Sequence, residues 1–124
     1  MKKLRMAAVG DNCVDKFLPP VNLSLVGGNA VNVAVQLALL GHDAFYFGAV
    51  GADADGSRTR EALAANGVNV EHMMERSGKT AHTDIDVLPS GDRMFVFEDF
   101  GVCAGYRPSD ADIAVLKTMD HIHI

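Results

Sequence analysis

Between Ala30 and Leu40 the chain is apolar at every position except Asn32 and Gln36, and a helix that apolar has almost no face to give to water. It must be wedged against a sheet, and its alanines and valines are small enough to let it lie close. Gly27-Gly28-Asn29 precedes it and Gly41 follows it, the punctuation of a helix entered through a turn and closed by a glycine. Whatever else this chain folds into, it needs strands to cover that helix.

Strands are readable on both sides of it. Met6-Ala7-Ala8-Val9 is a short apolar run that stops at Gly10-Asp11-Asn12, the pattern of a buried strand whose end carries polar groups to a surface. Ala44 to Val50 is a second such run, and it stops at Gly51-Ala52-Asp53. Asp55 is then placed to cap a helix through about Ala65, closed by Gly67. Strand, helix, strand, helix in this order implies parallel strands joined by right-handed crossovers, an α/β fold. Ligands of such folds gather at the carboxyl ends of the strands.

The second half changes character. Thr80 to Leu88 alternates loosely, Pro89-Ser90-Gly91-Asp92 is a turn, and Arg93 to Glu98 returns. This predicts an inserted β-hairpin at about 80–100. Its Thr80, Thr83, Asp84 and Asp86 predict one polar face. Pro108 and Ser109 start a last helix to about Met119, with Ser109 and Asp112 spaced as a capping box that uses Asp in place of Glu. Asp120 to Ile124 opens a strand and stops, so the chain is expected to be the amino-terminal part of something longer.

Composition removes several function classes. The net charge is −5 and the 11 basic residues are scattered, so no footprint for nucleic acid or an anionic membrane surface is expected. No apolar run reaches the length of a membrane span, and the one behind the basic start Met1-Lys2-Lys3-Leu4-Arg5 ends too soon for an export signal. Cys13 and Cys103 lie far apart, which fits a reduced, cytoplasmic protein better than a disulfide scaffold. His121 and His123 share one strand face, more often a structural arrangement than a ligand pair, and no metal site is expected. Gly-x-Gly-x-x-Gly and the Walker phosphate loop are both missing, which argues against a dinucleotide binder.

The candidate site residues are Asp11, Gly27, Gly28, Asn29 and Asn32. Two glycines let a backbone come close to a ligand, N–H groups at a helix start donate hydrogen bonds, and carboxamides read hydroxyls. Asn29 and Asn32, three apart, share a face of the helix. A carboxylate such as Asp11 accepts two hydroxyl hydrogen bonds at once, which suits a polyol. Each has a plainer reading as well. Gly27-Gly28 is also an ordinary tight turn, Asn32 is also a core amide bonded to a loop carbonyl, and Asp11 is also a turn or cap residue.

The run Gly27-Gly28-Asn29-Ala30-Val31-Asn32-Val33-Ala34, followed at fixed spacing by Gly41 and Gly51, resembles the amino-terminal signature of the ribokinase-like (PfkB) carbohydrate kinases. Gly10-Asp11, Val50 to Gly56, Leu63 to Val68 and the hairpin agree with it over the whole chain. Within that family the stretches Gly10 to Asp15, Ser24 to Val35, Thr80-Ala81 and Asp92-Arg93 are most similar to the fructoselysine kinases. The resemblance implies a partial ribokinase-like parallel sheet with helices and an inserted β-hairpin lid. It implies phosphoryl transfer from ATP to a hydroxyl of a sugar or sugar amine, with Asp11, Gly28, Asn29 and Asn32 as sugar contacts. It also implies a homodimer contact through the lid hairpin. The family's Gly-Ala-Gly-Asp motif, which carries the catalytic base, and its Asn-x-x-Glu motif for magnesium do not occur in this chain. ATP and Mg are therefore implied as cofactors whose binding residues the chain lacks, which leaves a substrate-binding half, inactive alone. The other reading that stays open is a non-catalytic module that binds a polyol or pairs through its hairpin.

Overall fold

The computed structural model describes residues 2–124; Met1, at the head of the basic start noted above, lies outside them. The chain runs β1 (Arg5–Val9), β2 (Cys13–Phe17), β3 (Leu23–Gly27), α1 (Asn29–Leu39), β4 (Asp43–Phe47), β5 (Ala49–Gly51), α2 (Ala54–Ala65), β6 (Met74–Arg76), β7 (His82–Val87), β8 (Arg93–Asp99), α3 (Asp110–Leu116) and β9 (His121–His123), with a 3-10 turn at Gly101–Cys103 between β8 and α3.

The core is a parallel sheet in the order β4-β1-β9. Successive side chains of a strand point to opposite faces, and both faces here are covered. Ala8, Ala44 and Tyr46 pack with Ala30, Val31 and Ala34 of α1 and with Leu63 of α2. Ala7, Val9, Phe45 and Phe47 pack with Leu116 of α3 and with Tyr106. Tyr46 and Phe47 are fully buried, each contributing roughly 1.5–3 kcal/mol by leaving water. The alanines of β1 and α1 hold helix and sheet close, as the small-residue composition predicts.

A second, four-stranded sheet has the order β3-β2-β7-β8. The hairpin predicted at 80–100 is β7–β8, but it does not stand alone. β2 runs parallel to β7, and β3 is antiparallel to β2, so Cys13 to Gly27, where the sequence predicts no strand, is half of the inserted sheet. The polar face is also corrected. Thr83 is buried beside Ile85, with its Oγ1 3.2 Å from the Cys13 sulfur. The open surface belongs to β8, where Met94, Phe95, Val96 and Phe97 are exposed.

Other boundaries move for local reasons. The strand expected over Ala44 to Val50 breaks at Gly48 into β4 and β5, and β5 pairs with β6. The cap of α2 is Asp53, whose carboxylate accepts from the Gly56 N–H at 2.8 Å, and not Asp55. Asp55 instead takes the Lys16 ammonium of β2 at 2.8 Å. α3 carries the capping box between Ser109 and Asp112 but ends at Leu116, short of Met119.

Candidate functional site

The site begins where β1 ends. The Gly10 N–H donates to the Phe47 carbonyl at 3.0 Å, the last link to the sheet, and Asp11 then emerges exposed. Its Oδ2 accepts from the Asn29 N–H at 3.1 Å and its Oδ1 from the Ala30 N–H at 3.0 Å. Gly28, at the N-cap of α1, has no side chain to cap with, so Asp11 caps the helix from another element. A carboxylate against a helix N-terminus is favoured by the orphan N–H groups and by the helix dipole. The N–H groups that the sequence reading left free for a ligand are thus taken by Asp11. An ionised carboxylate has about four lone-pair sites, and two are used here.

Asn32 lies one turn into α1 and is exposed, so the reading of it as a core amide is corrected. α1 turns Ala30, Val31 and Ala34 to the sheet, and a 3.6-residue repeat then sends position 32 outward. Exposure brings it to the wall of a hollow beside Asp11. Asp11, Asn29 and Asn32 line one hollow of about 550 Å³, closed by Val9, Val33 and His123. Three of the five predicted residues therefore meet on one wall.

The two glycines do not line it. Gly27 is the buried last residue of β3, opposite Cys13 in register. Gly28 has φ +108°, and a Cβ there would stand 2.7 Å from the Asn12 Cα and 2.9 Å from the Asp11 carbonyl oxygen. Its bareness lets the β3–α1 turn cross the strand-end backbone, which sets Asp11 under the helix N-terminus.

Sequence reasoning missed two features. Asn12 is buried, its Nδ2 donating to the Tyr46 hydroxyl at 3.0 Å and to the Ala49 carbonyl at 2.7 Å, while its Oδ1 has no partner. The Tyr46 hydroxyl in turn donates to the Gly10 carbonyl at 2.8 Å. Burial pushes the Tyr46 phenol up, well clear of any physiological titration. The one available signal was a tyrosine inside an otherwise apolar run. The second feature is a hollow of about 330 Å³ on the other side of Gly10 and Asp11, walled by Phe100, Cys103, Ala104 and Tyr106. Burial pushes the Cys103 thiol up and the Tyr106 phenol up to about 12, so both stay neutral. Two aromatics in a glycine-rich loop leaving the hairpin were its only trace in the sequence.

A smaller groove of about 200 Å³ lies between α1 and α2 over Val26, Val31, Val35 and Leu63, and its polar groups are the amides of Asn32, Gln36 and Asn66. No charged side chain reaches it. Neither hollow beside Asp11 has a Lys or Arg on its wall, and Asp11 is the one acidic side chain there. These walls suit hydroxyls and do not fit a triphosphate or its magnesium.

Comparison with known proteins identifies the family and the fold. Residues 24–124 match the pfkB family carbohydrate kinase family. Fructoselysine 6-kinase of Escherichia coli (strain K12) is 38% identical over 118 residues, 95% of this chain and 44% of the relative. Fructosamine kinase FrlD of Bacillus subtilis (strain 168) is 34% identical over 79% of this chain and 34% of its own length. The chain thus spans less than half the length of these curated relatives. A ribokinase from Arabidopsis thaliana, solved in complex with ribose and ATP, aligns with a TM-score of 0.87 over 98% of this chain and 45% of its own, at 21% identity, which speaks for the fold. Because the match runs from β3 to β9 and takes in the turn that seats Asp11 under α1, the chain belongs to the pfkB family of carbohydrate kinases.

Proposed function

We propose that this chain is the sugar-binding part of an ATP-dependent carbohydrate kinase, a phosphotransferase acting on a hydroxyl of a sugar or sugar amine such as fructoselysine. The observation that carries the proposal is the meeting of Asp11, Asn29 and Asn32 on one hollow at the carboxyl end of β1. In this reading the two open lone-pair sites of Asp11 accept from neighbouring hydroxyls, and the two carboxamides donate to and accept from others. Gly27 and Gly28 belong to the site as the turn that holds Asp11 against α1.

Residues 1–124 are read as the amino-terminal part of a single kinase domain, with the sheet around 80–100 as its lid. The residues for ATP and magnesium are assigned to the part of the relatives' length that this chain does not span, in keeping with hollows that hold no cationic side chain. Phosphoryl transfer rests on positioning and charge stabilisation around the phosphates, so the chain alone is expected to bind sugar and transfer nothing. The exposed apolar strand β8 supports a homodimer contact through the lid. The free thiols of Cys13 and Cys103 are in keeping with a cytoplasmic location. Among the described residues no helix is long and apolar enough to cross a membrane.

Calorimetric titration of the chain with fructoselysine, and separately with ATP and magnesium, tests the reading. Heat is expected from the sugar only, with no phosphorylated product when all are combined. ATP binding would refute the assignment of the nucleotide site, and an absence of heat from fructoselysine, fructose and ribose alike would refute the sugar site.

A further inference from the structure

Of the five histidines, three are held by the fold. The Leu4 N–H donates to His42 Nδ1 at 3.1 Å, His72 lies 3.7 Å from the Asp112 carboxylate and His82 lies 3.9 Å from that of Asp84; among the described residues these are the histidine side chains with a polar partner. His121 and His123 belong to the edge strand β9, and what separates them is where the strand puts them. Residues paired in register present their side chains to the same face of a sheet, and here His123 is paired with Ala8 and His121 with Met6. Ala8 packs with Ala30, Val31 and Ala34 of α1, so His123 projects on the α1 side at the carboxyl end of β9. α1 covers β1 and β4, and no residue of β9 joins that cluster, which leaves the face of β9 open beside the helix start. His123 thus stands on the wall of the 550 Å³ hollow with Asp11, Asn29 and Asn32, while His121 lies back toward the start of β1, off that wall.

We infer that His123 is a specificity-determining contact of the bound sugar, its imidazole pairing with a hydroxyl that points toward β9, away from Asp11 and α1. This rests on the sugar-binding reading and deepens it, adding selection on a third side of the site. β1 supplies Asp11 and α1 supplies Asn29 and Asn32, but the side chains that complete the wall are those of Val9, Ala30, Val33 and Ile124, and His123 is the one polar group among them. A sugar ring is hydroxylated all round, and a hydroxyl turned toward apolar side chains gives up its bond to water with nothing in return. The imidazole removes that loss. Asp11 can only accept, whereas a neutral imidazole carries one donor and one acceptor nitrogen and completes a hydroxyl in either sense. Selection follows from the same pairing. A sugar without that hydroxyl covers the half-buried ring and leaves its nitrogen without a partner, a loss that an apolar wall would not register.

Calorimetric titration with fructose and fructoselysine, then with the monodeoxy analogues of whichever binds more tightly, tests the contact on the native chain and on His123→Ala, His123→Gln and His121→Ala. His123 joins neither buried cluster, so its truncation leaves the core intact, which an unchanged urea midpoint checks. His123→Ala is expected to weaken the sugar about fivefold, the size of one hydrogen bond between neutral groups. His123→Gln keeps a donor and an acceptor and is expected to recover most of that loss, and His121→Ala, off the wall, to stay within about twofold of the native affinity, no bond being lost. One monodeoxy analogue is expected to bind His123→Ala as well as it binds the native chain, because both changes delete the same bond. If His123→Ala leaves the affinity unchanged, or weakens the parent sugar and every analogue by the same factor, His123 makes no such contact and the sugar site stands on Asp11, Asn29 and Asn32. If neither fructose nor fructoselysine gives heat with the native chain, the sugar site and the contact fall together.

Discussion

The phenol of Tyr46 bridges the two chain neighbours of Asp11, accepting from the Asn12 amide at 3.0 Å and donating to the Gly10 carbonyl at 2.8 Å. Of these groups only Gly10 lines the hollows beside Asp11, Asn12 and Tyr46 being buried, and the Asn12 Oδ1 already lacks a partner. Tyr46→Phe keeps the buried ring and removes both bonds. The expected cost is about 1–3 kcal/mol, because the Gly10 carbonyl is left unpaired and Asn12 Nδ2 loses one of its two acceptors. Urea unfolding measures that cost. Amide exchange at Asn29 and Ala30 is expected to accelerate beyond it, since their acceptor, Asp11, loses its support on both sides. Exchange that rises only by the global amount would show that Tyr46 stabilises the fold without holding Asp11.

Gly28→Ala tests the close crossing of the β3–α1 turn over Asp11 and Asn12. A Cβ at that position meets the Asn12 Cα at 2.7 Å and the Asp11 carbonyl at 2.9 Å, on a backbone with φ +108°. The strain of a positive-φ extended backbone that is essentially reserved for glycine, about 1–3 kcal/mol, adds to overpacking against backbone that cannot step aside, about 1–3 kcal/mol. Gly91→Ala is the control. Its φ is +88° and a Cβ there meets nothing within 4 Å, so only the conformational part, about 1–2 kcal/mol, is expected. Equal losses at both positions in thermal melts would contradict the clash.

The cap of α3 is the most local prediction. Ser109 Oγ accepts from the Asp112 N–H at 3.1 Å and Asp112 Oδ2 accepts from the Ser109 N–H at 3.2 Å. Ser109→Ala is expected to cost about 1 kcal/mol, most of it restored by Ser109→Asp. Because α3 brings Leu116 onto Phe45 and Phe47, the loss should appear in the global unfolding midpoint. A change confined to local exchange within α3 would mean that the helix frays without loosening the sheet.

These cases show where the sequence was legible. The Ser109–Asp112 box lies within four consecutive residues, and the apolar runs of β1, β4 and α1 declare themselves by composition, so the parallel core was readable. The β2 strand was not. Cys13 to Phe17 is buried fully only at Val14, and it is a strand because it pairs with β7, far along the chain, a contact no local pattern encodes. Asn32 was placed inside for a related reason. A helix apolar nearly all round does not say which arc lacks a neighbour, and here Asn32, Gln36, Leu39 and Leu40 are the ones left open. Asp11, Asn29 and Asn32 could still be singled out, and they line one hollow, because a strand end and a helix start carry their polar residues in recognisable positions. The aromatic hollow was invisible, since Phe100 and Tyr106 meet Asp11 only through the return of the chain from the lid sheet.

Acidification should weaken the root of that sheet through Asp53. Its Oδ1 accepts from the Gly56 N–H at 2.8 Å and from the Thr80 hydroxyl at 2.6 Å, and its Oδ2 accepts from the Thr80 N–H at 2.8 Å. Thr80 lies just before β7, so one carboxylate ties the start of α2 to the entry of the sheet. Partial burial by itself would raise the Asp53 pKa, but the bonds from Thr80 and Gly56 together with the charge of Lys16 outweigh it and hold the carboxyl below its ordinary value. A carboxyl depressed in the folded state binds its proton more readily when unfolded. Its stabilisation is therefore complete above the unfolded pKa of about 3.9 and is lost as pH falls from there through the folded value. Asp53→Asn is expected to be less stable than the native chain at pH 7, having one acceptor oxygen in place of two, and to lose less on going from about pH 5 to pH 3, the range set by that linkage. Urea midpoints for both chains across this range measure the difference. Parallel pH profiles would show that Asp53 is not the group whose protonation releases Thr80.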